Sequence, residues 1–403
     1  MDSPTSFSSL PPELVSKICH DSVLRKKDLI ALRFTSKSQG IHLSASKELA
    51  RRYFKNIRLV YTRQSLQTFV EICKHAILSS AVRMVQLSYT RFLPGYFVAE
   101  CKRLLDGSYG GSVSKQRNDA QKDIRLLACR CDEEEDLRKS GAAKDLLAAA
   151  FTELSQLHHP LELRVSSDES GAFGQNRIYS PDNLGTNSHW ECDILGTVAL
   201  LFEAATLSRC VVQRLQIQGA VWNNLVDSSA HSLHSLVQLP ELELNIWSSE
   251  KVVIAHVAGI EAMVIKLLNN AAGLKTLSLG SGHVDRHHTY LPRIFSTIST
   301  MRLENLELEY INLDWFKPFK NRMKSLRRLD LDGCRLNGSL KQTLLSVQEN
   351  LPRLEYFRMP YICRPYMRKA SYEYKGIEEV KAGINELIQF ESDYINSPVW
   401  IMD

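Results

Sequence analysis

The feature that most constrains this chain is a short apolar skeleton, L-x-x-L-x-L, returning at a nearly constant step. It is clearest in Leu326-Arg327-Arg328-Leu329-Asp330-Leu331-Asp332-Gly333-Cys334-Arg335-Leu336. The same skeleton stands at Val212/Leu215/Ile217, Leu239/Leu242/Leu244, Leu274/Leu277/Leu279, Leu303/Leu306/Leu308 and Leu354/Phe357/Met359. Weaker copies occur at Phe54/Ile57/Leu59 and Val82/Val85/Leu87, and His158/Leu161/Leu163 lacks an apolar first position. The last apolar residues of the six good copies fall at 217, 244, 279, 308, 331 and 359, steps of 27, 35, 29, 23 and 28 residues. Alternation over so few residues predicts a short strand with its leucines on one face. One such unit cannot bury its apolar face alone, so the copies are expected to stack.

The segments between the copies supply the returning helices. Val252 to Asn270 is amphipathic and fills the long 35-residue step, and Ser339 to Asn350 is a second example. The Leu326–Leu336 stretch fits L-x-x-L-x-L-x-x-N/C-x-L without a mismatch, and the array resembles leucine-rich repeats, whose period is about 20–29 residues. Two polar interruptions are expected to project from it, at about 104–145 and 166–190. The first begins with the Gly/Ser-rich Asp106-Gly107-Ser108-Tyr109-Gly110-Gly111-Ser112 and carries the acidic run Asp132 to Asp136, read as a solvated helix face. A helix is expected over Ala142 to Leu157. After residue 359 the skeleton stops, and the helical period of Lys375 to Phe390 predicts a terminal cap over the last apolar face.

The first fifty residues have a different pattern. Leu10-Pro11-Pro12-Glu13-Leu14 leads through Val15 to Ile18 and Cys19. Ser9 can cap a helix whose first turn tolerates proline, and Glu13 suits the positive end of the helix dipole. A second amphipathic segment starts at Asp28 and a third runs from Leu43 to Phe54. Three helices this short bury too small a fraction of their surface to be self-sufficient. The apolar remainder implies either a cap on the repeat array or a docking surface for a partner.

These residues resemble the F-box: Leu10-Pro11-x-Glu13-Leu14, Ile18, then Asp28-Leu29, Leu32-Arg33 and Ser36-Lys37. The family often carries a Trp soon after the Ser-Lys, where this chain has Gln39-Gly40-Ile41. The resemblance implies that Leu10, Pro11, Leu14, Ile18, Leu29 and Leu32 contact a Skp-type adaptor. Through that adaptor the chain would join a cullin-based ubiquitin ligase.

The remaining composition argues mainly by exclusion. A formal charge of +5 over 403 residues, with no basic run longer than Arg25-Lys26-Lys27, gives no stripe for nucleic acid. The N-terminus lacks a signal-peptide pattern, and no run of about 18 apolar residues predicts a membrane span. Nine scattered cysteines fit reduced thiols in cytoplasm or nucleus. No phosphate loop, dinucleotide fingerprint, nucleophile elbow or H-E-x-x-H occurs, so neither an enzyme nor a cofactor is expected. Cys129-Arg130-Cys131 has no second Cys/His pair at zinc spacing, and His283, His287 and His288 read as a polar loop, as do His158 and His159. Cys334 takes the Asn/Cys position of its repeat, where hydrogen bonding within the turn is the usual role.

The positions between the inner leucines point away from the core, to the concave face of the expected sheet. They include Arg214, Glu241, Glu243, Glu307, Glu309, Arg328, Asp330, Asp332, Tyr356 and Arg358. Six acids face three arginines there, although the chain as a whole is positive. A protein partner with a basic patch is expected, unless the acids merely reflect the avoidance of apolar residues on an open strand face.

The expected architecture is α/β. It consists of a three-helix F-box over residues 1–52, an irregular leucine-rich-repeat solenoid over 53–370 with two loop insertions, and a helical cap over 371–403. Two functions fit it: a substrate-recognition subunit of a cullin-type ubiquitin ligase, or a repeat scaffold acting outside ubiquitination.

Overall fold

The computed structural model describes residues 12–35, 39–92, 129, 131–167, 190–221, 233–248, 254–280, 292–313, 323–336, 340–359 and 372–395. The fold is mixed α/β. The chain divides into two compact units. The first comprises Met1–Arg164, Asp168–His189 and Glu203–Val212, and the second Val165–Ser167, Trp190–Phe202 and Gln213–Asp403.

The first unit opens with helices α1 (Pro12–His20), α2 (Lys26–Thr35) and α3 (Gln39–Tyr53). The third starts before the expected Leu43. Val15, Cys19, Leu29, Ile41, Ala45 and Leu49 form one buried cluster, with Leu24, Ile30, Leu32 and Phe54 packed against it. Asp28 caps α2 by accepting the Arg25 N–H at 2.8 Å, which satisfies a donor left free at the helix start.

Strand β1 (Asn56–Leu59) comes next, then α4 (Arg63–Lys74), α5 (Ala76–Ser79) and β2 (Met84–Ser88). The strands pair in parallel with Ile57 opposite Val85 and Leu59 opposite Leu87, so the two weaker copies of the skeleton lie in register. Thr62 caps α4 by accepting the Ser65 N–H at 3.2 Å. The buried face of α4 includes Phe69, whose ring meets Phe151 edge-on at 6.0 Å.

After β3 (Thr90–Phe92), residues 131–140 are helical and α6 (Ala142–Ser155) leads to β4 (Leu161–Ser166). The acidic run is not simply a solvated face. Glu133 accepts the Arg63 backbone N–H at 2.6 Å, Asp136 pairs with the Arg63 guanidinium at 2.7 Å, and Glu134 is buried. Glu133 thereby supplies a negative charge at the α4 N-terminus. His158 sits at φ 54° in the turn before β4, which explains the missing apolar residue in that copy.

Strand β5 (Trp190–Cys192) and α7 (Ile194–Leu207) precede β6 (Val212–Val221). In the second unit β6 leads to β7 (Glu241–Ser248), α8 (Ile254–Asn270), β8 (Thr276–Gly280), α9 (Pro292–Ile298) and β9 (Asn305–Glu309). Then come β10 (Asn312–Leu313), β11 (Arg328–Asp332), β12 (Arg335–Leu336), α10 (Leu340–Asn350) and β13 (Tyr356–Met359). Strands β6, β7, β8, β9, β11 and β13 are sequential parallel neighbours. Leu215, Leu242, Leu277, Leu306, Leu329 and Phe357 align across all six, and every one is buried. At roughly 25 cal/mol per Å² of apolar area, this row is a principal source of cohesion. A small parallel ladder of β10 and β12 sets Leu313 opposite Leu336.

The end of the unit differs from a purely helical cap. Strand β14 (Tyr372–Lys375) pairs antiparallel with β13 before α11 (Ile377–Ile395) begins. Covering the free edge of β13 satisfies backbone groups that a helix alone would leave open. The Tyr374 ring lies so close to α11 that a Cβ on Gly383 would collide with it. Glycine at 383 therefore permits the strand-to-helix contact.

Candidate functional site

Two surfaces emerge. The first is on the N-terminal helices. Leu14 is 46% exposed and Phe34 77% exposed, and Val23, Leu43 and Tyr53 also show apolar surface. The Arg33 guanidinium stands 5.8 Å from the Phe34 ring centre, and the Lys26 ammonium 5.6 Å from that of Tyr53. Among the residues that the F-box resemblance singled out, Leu14 is exposed while Ile18 and Leu32 are half-buried. Leu29 lies wholly inside the three-helix cluster, where it holds the helices together and offers no outer surface. Leu10 and Pro11 fall outside the described residues. Phe34 was missed from sequence, although its position next to Arg33 at the end of an amphipathic helix was the available signal.

The helices are fastened by ionic chemistry that the apolar pattern did not reveal. Glu48 is fully buried as a side chain and pairs with Arg51 and Arg52. Arg52 donates to the carbonyls of Leu24 at 2.8 Å, Asp21 at 2.8 Å and Cys19 at 3.2 Å. It thus satisfies acceptors at and just beyond the end of α1. Hydrogen bonding from Arg51 leads the causes that hold the Glu48 carboxyl down at about 2.

The second surface is the polar face of the parallel ladder. Register sorts it into three rows across strands about 4.8 Å apart. Arg214, Glu241, Thr276, Asn305, Arg328 and Tyr356 form the first row, with Lys375 opposite Tyr356. Gln216, Glu243, Ser278, Glu307, Asp330 and Arg358 form the second, with Glu373 opposite Arg358. Gln218, Asn245, Gly280, Glu309 and Asp332 form the third. The charged residues and the tyrosine singled out from sequence fall in these rows by register, but Asp330 is buried and offers no outer surface.

Its charges are not equivalent. Arg214 pairs with Glu243, which also accepts from the Gln216 amide at 2.9 Å. Arg358 reaches Asp330 at 3.3 Å and Asp332 at 3.2 Å, and Arg328 reaches Asp330 at 3.4 Å. The Arg328 guanidinium also stacks 4.0 Å over the Tyr356 ring, whose hydroxyl donates to Glu373 at 3.3 Å. Arg214, Arg328 and Arg358 are thus each committed to a neighbour. Glu241, Glu307 and Glu309 form no ion pair among the described residues. Burial, reinforced by the nearby carboxylates of Asp332, Glu307, Glu243 and Asp330, pushes the Glu309 carboxyl up. Burial likewise raises Asp330 against the opposing pull of Arg358.

The other expected or excluded sites fall elsewhere. The Cys334 thiol donates to the Leu308 carbonyl at 3.3 Å, a bond to the neighbouring strand. Burial pushes Cys210 up to about 11 and raises Cys19 and Cys73 as well, which leaves these thiols poor nucleophiles. His159 meets Arg83 at 3.1 Å beside β4. His283, His287 and His288 lie outside the described residues. Among the described residues, no group of three or more His, Cys, Asp and Glu could hold a metal ion. No helix among them is long and apolar enough to cross a membrane.

Neither the protein-family models nor the curated proteins compared with this chain match it. The reading of function therefore rests on residues and geometry.

Proposed function

We propose that this chain is a non-catalytic F-box subunit with leucine-rich repeats, presenting a protein substrate to a cullin-type ubiquitin ligase. The observation that carries the reading is a conjunction within one chain. A small three-helix cluster displays Leu14 and Phe34, and a parallel ladder further along displays an acid-rich polar face. A small helical cluster with uncovered apolar side chains is suited to a Skp-type adaptor. The polar face is suited to a partner carrying basic side chains, because Glu241, Glu307 and Glu309 retain uncompensated charge. Such a protein acts in cytoplasm or nucleus and needs no cofactor.

Affinity purification of the full chain tests the proposal. The wild type should retain both a Skp-type adaptor and a cullin, and a Leu10→Ala, Pro11→Ala, Phe34→Asp variant should retain neither. Recovery of the adaptor without a cullin would favour a scaffold outside ubiquitination. Recovery of neither by the wild type would remove the F-box assignment.

A further inference from the structure

In the first unit, backbone bonds fix the order of one rim, where the chain turns into its strands. Arg83 and Met84 donate to the Lys55 carbonyl at 2.9 and 3.0 Å, and Glu162 donates to the Arg83 carbonyl at 2.9 Å. Leu161 in turn donates to the Val211 carbonyl at 2.8 Å. Lys55, Arg83, the turn before β4 and Val211 therefore stand side by side, over roughly 14 Å at one strand spacing each. All of them belong to the first unit.

Two properties of this rim go unused by the fold. The first is apolar surface: Leu157 is 36% exposed, Leu207 64% and Val211 67%, in the adjoining turns that enter β4 and β6. Single exposed apolar residues are ordinary, whereas a group of them marks a contact surface. The second is charge. Lys55, Arg83 and Arg209 are exposed and form no ion pair among the described residues. Arg83 is nonetheless held in place. Its Nη1 donates to the Ser80 and Val82 carbonyls at 2.8 Å and contacts His159 Nε2 at 3.1 Å, which leaves its other nitrogens without a described partner.

Arg209 occupies a position that favours glycine. The Cys210 N–H reaches the Ala205 carbonyl at 2.9 Å and the Arg209 N–H the Thr206 carbonyl at 3.1 Å, closing the end of α7 with Arg209 at φ 56°. Glycine is free of strain there. The helix dipole favours a cation at this end, but it gives no reason for the uncovered Leu207 and Val211 on either side.

We propose that this rim docks a protein segment in which carboxylates alternate with apolar side chains. The carboxylates meet Lys55, Arg83 and Arg209, and the apolar groups cover Leu157, Leu207 and Val211. Charge complementarity selects the occupant, since unpaired cations repel a basic segment. The length of the rim matches about four extended residues at roughly 3.3 Å each. The inference is independent of the acid-rich face, which lies in the second unit and calls for the opposite charge.

Fluorescence anisotropy of the full chain with a short labelled peptide alternating glutamate with leucine tests the rim. Saturable binding is expected, weaker by roughly tenfold or more when the glutamates become glutamine or the leucines serine. Arg83→Glu combined with Arg209→Glu should weaken it roughly a hundredfold and Val211→Asp roughly tenfold. Lys341→Glu, in the second unit, should change it less than about twofold. Arg209→Gly removes a charge where glycine is unstrained, so it should weaken binding severalfold with an unchanged or higher melting temperature. That variant decides where the double reversal fails to fold. No binding by the wild type, or undiminished binding by these variants, would overturn the proposal. Binding of anionic vesicles or single-stranded DNA in place of the peptide would do the same. So would a wild-type dimer that Val211→Asp splits, because the rim would then serve a second copy.

Discussion

The Cys334 thiol donates to the Leu308 carbonyl, joining the turn after one strand to the end of its neighbour across 26 residues of sequence. Leu308 is fully buried and Cys334 nearly so, so the carbonyl has little water to turn to. Cys334→Ala should destabilise the chain by about 1–2 kcal/mol in urea unfolding, the usual effect of orphaning a buried acceptor. Cys334→Ser, which keeps a donor, should recover part of that loss. Equal stability of the alanine variant and the wild type would show that the bond contributes nothing.

Glu48 should make the N-terminal helices sensitive to acid. Its carboxyl is held at about 2, below its ordinary 4.5. The stabilisation is therefore present above pH 4.5 and is lost as the pH falls through that interval towards 2. Glu48→Gln should cost on the order of 2 kcal/mol at pH 7. Chemical unfolding across this range should show the gap between variant and wild type closing near pH 2, and a gap independent of pH would contradict the ionic account.

Glu309 should behave in the opposite sense. Burial and neighbouring carboxylates raise its pKa, so the folded state holds its proton more tightly than the unfolded state does. Stability then declines as the pH rises from 4.5 through the raised value. Glu309→Gln should melt at a higher temperature than the wild type at about pH 7, with the difference vanishing below about pH 4. A variant less stable at neutral pH would mean that Glu309 has a favourable partner.

The two arms of the polar face should respond differently to charge reversal. Asp330 is interior and lies between Arg328 and Arg358, so Asp330→Lys should prevent folding, as judged by loss of a cooperative thermal transition. Glu241→Lys and Glu307→Lys lie outside that network and should leave the melting temperature within a few degrees. They should weaken capture of a basic partner with a salt-dependent effect. Binding by the double variant that equals wild type at low salt would sink the electrostatic reading of the face.

Phe34→Asp should leave the three-helix cluster folded, because its side chain is 77% exposed and takes no part in the buried set. Leu29→Asp should unfold the cluster, since Leu29 is fully buried. Circular dichroism with adaptor pull-down separates the two effects. Phe34→Asp should lose the adaptor with its helices intact, and full retention of the adaptor would place the docking surface elsewhere.

By itself the sequence determined the strands of the ladder, because L-x-x-L-x-L can bury its leucines only as a short strand repeated in register. Leu215, Leu242, Leu277, Leu306, Leu329 and Phe357 were all legible in this way, as were the polar positions between them. It did not determine β14, since Tyr372–Lys375 is too short and too polar to declare itself until β13 offers an edge. Nor could it separate the acids of the face into two kinds. Asp330, Asp332 and Glu243 are engaged by arginines that register brings beside them, whereas Glu241, Glu307 and Glu309 are not. The alignment of distant strands decided which charges are cancelled and which remain available. That depends on neighbours between 26 and 29 residues away in Arg358–Asp332, Arg358–Asp330 and Arg214–Glu243 alike, a distance over which local pattern carries no information.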